Sequence, residues 1–453
     1  MRGQKMSKEK RLHWLFAVLS LLLLFLVADY FYHQDRIYAG IFVDGLDVGG
    51  KRTEEAAELL REKFRQERLP DREISLIFQG NKWSGSFFEL GIAPDIESTI
   101  AEAHAVGREE YHFFSCLQRF YLRNRTINLK PNFIVDSALF RQALAVAAKV
   151  IWQEPQDAIF ALADDRKRVE IIPDKNGREL DFATTLAVLE QGLENYSEKK
   201  RLYLAEKPVT ATITAAYLES LNVREPIATF STTFAADDIN RNHNIQLAAK
   251  AIDKTLVFSG DQFSFNKVVG KATAQRGYRE APVIVGGELV EGIGGGICQV
   301  SSTLYNTILL ADLSIVERRN HGLAVSYLSP GRDATISYGW IDLKFLNDRN
   351  HAVWLRTFID GNKLTVTFYG KVIPGHEVTI LTTDLTSIKA AEEIIMTADL
   401  PKGVRERLKK GQPGYHVTVW RVTKMNGEVI SREMLSQDSY RSVPSKYRVG
   451  TAE

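Results

Sequence analysis

From Leu12 to Val27 the chain reads LHWLFAVLSLLLLFLV, almost without a polar break. Continued through Ala28, Asp29, Tyr30, Phe31 and Tyr32, the run approaches the roughly 20 residues that a spanning helix needs. Arg2, Lys5, Lys8, Lys10 and Arg11 precede it, offset only by Glu9. Such a flank predicts a cytoplasmic tail over residues 1–11, a transmembrane anchor over 12–32, and the bulk of the chain outside the cell. A cleaved signal peptide would carry small residues at its cleavage site, whereas VADYFYHQ is bulky.

Beyond the apolar run the pattern alternates between short strands and amphipathic helices. In GGKRTEEAAELLREKF, Thr53 is the expected N-cap, and Ala56, Leu60 and Phe64 share one helical face. Ile74, Leu76 and Phe78 alternate as in a strand. Asn176-Gly177, between RVEIIP and RELDF, signals a hairpin. FELGIAPDIESTIAEAHAVG echoes PDKNGRELDFATTLAVLEQGL, which suggests two copies of one α+β unit within residues 37–216, although two unrelated α+β pieces would read much the same. From about Pro226 glycines become dense and strands dominate. Hairpins are expected through Asp360-Gly361 and Asn426-Gly427. The fold class is therefore α+β multidomain, with a mixed domain over 226–370 and a small β-rich domain over 377–450.

The balance of 58 basic and 56 acidic residues argues against a nucleic-acid binder, and no arginine–aromatic array points to one. Two cysteines, Cys116 and Cys298, allow one disulfide but no framework. Cys116 sits in YHFFSCLQRFYL and reads as helix core.

The central blocks carry a specific signal. FSFN at Phe263–Asn266, GGGICQVSSTLYN at Gly294–Asn306, then ERRNH, GRDATISYG and DLKFLN follow in order. They closely resemble the VanW-like domain, named after an accessory protein of a vancomycin-resistance cluster, over about Pro226 to Gly370. Gly322, after His321, stands where that pattern suggests a small hydroxyl residue. The region before Ala216 resembles the peptidoglycan-binding repeats found upstream of such domains. The tail, with Gly411, Gly414, Gly427 and Gly450, resembles over about Glu392 to Gly450 an extracellular domain named for five recurring glycines. The resemblance implies a wall location, peptidoglycan as partner beside the membrane bilayer, and a link to glycopeptide resistance. It supplies no established reaction.

The residues themselves allow chemistry. Cys298 follows Gly294, Gly295 and Gly296 in the first turn of an expected helix whose buried stripe is Val300, Leu304 and Ile308. A helix N-terminus favours thiolate. The glycines would let backbone approach a substrate, and Gln299, Ser302 and Asn306 are the companion candidates for substrate binding. His321, expected on a strand edge, would be the base, and Asp333 or, preferably, Asp342 would orient it. Two functions follow from this. One is a wall-binding scaffold, with Cys298 a small buried hydrophobe. The other is a cysteine-dependent amidase, peptidase or transpeptidase acting on wall peptides. Gly292-x-Gly294-Gly295-Gly296 fits neither a dinucleotide fingerprint nor a P-loop, no cofactor is implied, and Cys298 with the nearby histidines lacks zinc spacing.

Overall fold

The computed structural model describes residues 8–108, 125–198, 200–285 and 288–452. Cys116, and with it any pairing of Cys116 with Cys298, lies outside them. The fold is mixed α+β and multidomain, with a β-rich C-terminal region. The apolar run forms the helix Lys8–His33, none of whose residues is buried. By length and composition it could cross a membrane.

Two compact units follow. The first comprises residues 1–156 and 175–211, the second 157–174 and 212–453. In the first, helix Thr53–Gln66 buries Ala56, Leu60 and Phe64, as the 3.6-residue period requires. Its N-cap is Arg52 rather than Thr53, because the Glu55 carboxylate reaches back to accept from the Arg52 backbone N–H at 3.1 Å. Strand Glu73–Phe78 buries Ile74, Leu76 and Phe78 and pairs with Asn81–Ser86 through Gln79-Gly80, both at positive φ. The two echoing segments share a local form. Strand Ile92–Asp95 leads into helix Ile96–Ala105, with Asp95 accepting from the Ser98 N–H. Strand Gly177–Leu180 leads into helix Phe182–Leu193, with Asp181 accepting from the Thr184 N–H.

The hairpin expected at Asn176-Gly177 does not form. Strand Val169–Ile172 pairs instead with Ile159–Leu162 in the second unit, and Gly177–Leu180 pairs with Glu206–Val209 in the first. Gly177 serves close approach rather than a turn: a Cβ there would lie 2.2 Å from the Gln153 carbonyl oxygen.

In the second unit, strands Glu225–Thr233, Lys363–Gly370, Val353–Asp360 and Leu256–Val257 make an antiparallel sheet in that order. Helix Ile297–Leu310 packs on the first two of these strands beside helix Ile239–Ile252. It is buried nearly all round, well beyond the stripe of Val300, Leu304 and Ile308. Toward the C-terminus, His376–Ile388, Gly414–Met425 and Glu428–Tyr440 form a three-stranded antiparallel sheet. Asn426 and Gly427, both at positive φ, make the turn between the last two. A second small sheet joins Glu392–Pro401, Ser445–Ala452 and Arg405–Lys409.

Candidate thiol site

The site is built around the start of helix Ile297–Leu310. Gly296 is its N-cap at φ 105°, where a Cβ would meet Arg241 and Ile245 at 2.9–3.0 Å. At Gly295 a Cβ would strike the backbone of Ala281 and Pro282, and at Gly294 it would meet Ala272. The three glycines thus fit the chain against itself; they are not a surface offered to a substrate. The buried Asn244 fixes the turn, donating to the carbonyls of Gly295 (3.0 Å) and Arg279 (2.9 Å) and accepting from the Arg279 N–H (2.8 Å).

Cys298, in the first helical turn, is half-buried and carries a free thiol. Its sulfur lies 3.8 Å from the Ile336 carbonyl oxygen and 3.9 Å from Thr335 Oγ1. His321 comes from a loop rather than a strand edge, and its ring and the thiol shift one another's protonation. The other side of the ring is held by Asp333: Nδ1 lies 2.5 Å from Oδ2, and the same oxygen accepts from the His321 backbone N–H at 2.7 Å. With Nδ1 so engaged, Nε2 is the nitrogen left for sulfur.

The acid beside His321 is therefore Asp333, and the preference for Asp342 is corrected. Asp342 accepts from Ser264 Oγ at 2.5 Å and from the backbone N–H groups of Asn266 and Leu343 at 2.9 and 2.8 Å. It ties the FSFN block to the strand after it. The substrate-binding assignments of Gln299, Ser302 and Asn306 are corrected too, because all three side chains are buried and spent on the protein itself. Gln299 binds Thr232, Thr233 and Arg241. Ser302 Oγ receives the Ala334 N–H at 2.9 Å. Asn306 donates to the Arg332 carbonyl and accepts from the Arg332 guanidinium. The shared face of Cys298, Ser302 and Asn306 grips residues 332–336, the segment that carries Asp333.

Burial shapes the electrostatics. It pushes the Cys298 thiol up, but the hydrogen bond and charge of His321 outweigh this and bring the thiol below its ordinary value. Burial alone would lower His321, yet Asp333 and the thiolate raise it to about 9. Asp333 would also be pushed up by burial, but His321, Arg318 and Tyr440 hold it below the usual carboxylate range. The shifts of Cys298 and His321 both run toward a thiolate–imidazolium pair, with the Asp333 carboxylate behind it.

The sequence blocks named above bring their chemistry to one point. GGGICQVSSTLYN supplies Cys298, ERRNH supplies Arg318 and His321, and GRDATISYG supplies Asp333. Residues 240–369 match the family described as "VanW like protein". The central domain is VanW-like. Residues 83–200 match the "Putative peptidoglycan binding domain" family, and residues 380–452 match the G5 domain. The chain is similar to the Bacillus subtilis (strain 168) protein YoaR, described as uncharacterized: 48% identity over 145 residues, 32% of this chain and 48% of that protein. It is also similar to the Vancomycin B-type resistance protein VanW of Enterococcus faecalis (strain ATCC 700802 / V583), at 34% identity over 131 residues, 28% of this chain and 47% of that protein. The chain thus spans about half the length of the curated relatives it matches. Among solved structures, the G5 domain of an IgA1 protease is 28% identical over 17% of this chain and 94% of its own, with a TM-score of 0.14. These modules make this a cell-wall-related protein with a VanW-like domain between a peptidoglycan-binding-type domain and a G5 domain.

Sequence reasoning missed several contributors. Arg318, Asn244 and Arg241 are polar residues with no catalytic spacing, and Tyr440 lies in another domain. Only the position of Arg318 inside the ERRNH block offered a signal.

Proposed function

We propose that this chain is a membrane-anchored envelope protein that binds peptidoglycan and carries out cysteine-dependent acyl transfer on wall peptides. The observation that carries the chemistry is the His321 ring held 2.5 Å from Asp333 Oδ2, with the Cys298 thiol as the other group that raises its pKa. The Cys298 thiolate attacks a peptide carbonyl carbon, forming a C–S bond. The C–N bond breaks as the His321 imidazolium gives its proton to the departing amine. A thioester remains, and an incoming amine or water, deprotonated by His321, releases the acyl group. Asp333 keeps the imidazolium oriented and neutralised throughout.

The flanking modules support wall attachment, and the helix Lys8–His33 after its basic flank supports an anchor with the N-terminus in the cytoplasm. On the thiol side, the turn closed by the Ser337–Ile341 bridge presents Tyr338 and Trp340, the latter 89% exposed, just beyond the Ile336 carbonyl that touches sulfur. Flat apolar rings there suit the faces of wall sugars and the stems attached to them.

The test uses the chain from Ile37 onward with purified muropeptides. Mass spectrometry should find an acyl adduct on Cys298, and Cys298→Ala should remove both adduct and product while the fold is kept. Binding to purified sacculi with no adduct at any pH would leave a wall-binding scaffold and end the acyl-transfer reading.

A further inference from the structure

The carboxylate of Asp333 is held from outside the VanW-like domain as well as from within it. Tyr440, the last residue of strand Glu428–Tyr440, donates its phenol to Asp333 Oδ1 at 2.5 Å. The same phenol oxygen accepts the Gly331 N–H at 2.7 Å. Two residues earlier, Asp438 receives both hydrogen bonds of Arg318 Nη1, at 2.7 and 2.8 Å, while Arg318 Nε donates 2.7 Å to the Asp333 carbonyl. Asp333, Asp438 and Tyr440 are buried, and the Arg318 side chain is only 6% exposed. The approach is close enough to require glycine: Gly331 stands at φ 87°, and a Cβ there would lie 2.4 Å from Val419 Cγ2. Further along the same seam, Asn320 donates to the Ser439 carbonyl, and the Arg441 N–H donates to that of Gly322.

From this geometry we infer that the G5 region completes the thiol site, with Tyr440 as a positioning residue for Asp333. The inference rests on the acyl-transfer reading. Four oxygen-directed contacts define the carboxylate: the His321 ring and backbone on Oδ2, and Tyr440, with Arg318 Nη2 more distant at 3.6 Å, on Oδ1. The other charged or titratable groups around it are Cys298 and Tyr305 of the thiol helix, Tyr327 and Arg332 of the intervening loops, and Asp438 of the G5 strand. Burial pushes Tyr440 up, so its proton stays in place as a donor across the working range. A donor on Oδ1 lowers the proton affinity of a carboxylate that burial would otherwise raise. Without it, Asp333 takes up a proton at higher pH, and the imidazolium–thiolate pair loses its support there.

The measurement is the pH profile of Cys298 alkylation by iodoacetamide, read peptide by peptide so that Cys116 does not interfere. Tyr440→Phe should move the acid limb upward by about one pH unit, the size that a lost hydrogen bond to a charged group carries. Replacing Tyr440 with 3-fluorotyrosine by amber suppression sharpens the donor at nearly constant volume, so the acid limb should move downward. Tyr369→Phe removes another buried phenol, one that donates to the Arg166 carbonyl, and should leave the profile in place. An unmoved acid limb in both folded Tyr440 variants overturns the inference. A wild-type thiol that titrates at or above an ordinary cysteine instead defeats the acyl-transfer reading, so the two failures are distinguishable.

Discussion

At the scale of single residues, the two aspartates separate a chemical role from a structural one. Asp333→Asn keeps the shape but no longer neutralises His321, and acyl transfer should fall by roughly 10²–10⁴-fold. Asp342→Asn should leave the alkylation profile of Cys298 in place and lower Tm, because the carboxylate is spent on Ser264 and on the Asn266 and Leu343 backbone rather than on His321. Steady-state rates beside thermal melts separate the two cases. The pH dependence follows from the pair itself. His321 is raised to about 9, so leaving-group protonation should fade as pH rises through about 9, giving the turnover profile a basic limb there. Stability has the same sign at that edge: the His321 contribution is fully present below its unfolded value of about 6.5 and is lost as pH rises through about 9. Cys298 and Asp333, both lowered, contribute stability above their unfolded values that is lost as pH falls. Chemical denaturation across pH should therefore show an acid loss below about 3.8 from Asp333, and a fall between about 6.5 and 9 from His321 that the opposing Cys298 contribution makes shallower. Cys298 and His321 were legible in the sequence as candidates, since a cysteine after three glycines at a helix start is a local pattern. The choice between Asp333 and Asp342 was not, because both lie on plausible segments after His321 and only the packing of residues 332–336 on the thiol helix decides it.

At the scale of elements, the thiol helix explains why polar residues misled. Its spacing correctly put Cys298, Ser302 and Asn306 on one face, but the helix is central, so that face meets protein rather than solvent. Ser302→Ala would strand the Ala334 N–H, and Asn306→Ala would strand the Arg332 carbonyl, each at a cost of about 1–3 kcal/mol. Differential scanning calorimetry should show both as destabilised proteins. The exposed turn behaves oppositely: Trp340→Ala should weaken muropeptide binding several-fold with Tm and thiol titration unmoved. Strand alternation and the Asn426-Gly427 turn were readable because period and turn chemistry are local. The fate of Asn176-Gly177 was not, because its flanking strands find partners distant in sequence.

At the scale of the whole molecule, the proposed anchor with its N-terminus in the cytoplasm makes a prediction about accessibility. External protease added to protoplasts should digest the chain beyond Tyr32; protection until lysis would reverse the orientation. Domain order could be read from the blocks of residues, whereas the limits of the two compact units could not, because residues 157–174 leave the first and join the second. That excursion governs the order in which a nascent chain can fold. Hairpin Ile159–Leu162/Val169–Ile172 emerges from the ribosome long before its partners. Phe160 packs on Trp354 with ring centres 5.4 Å apart, and Arg166 pairs with Asp360 at 3.0 Å. The first unit, by contrast, has all its segments once Ala211 has emerged. Contacts of such sequence separation form late. A ribosome stalled after Ile252 should therefore hold a chain whose first unit resists pulse proteolysis while the stretch around Ile159–Ile172 is cut, and resistance there should appear only after Gly370 has been synthesised.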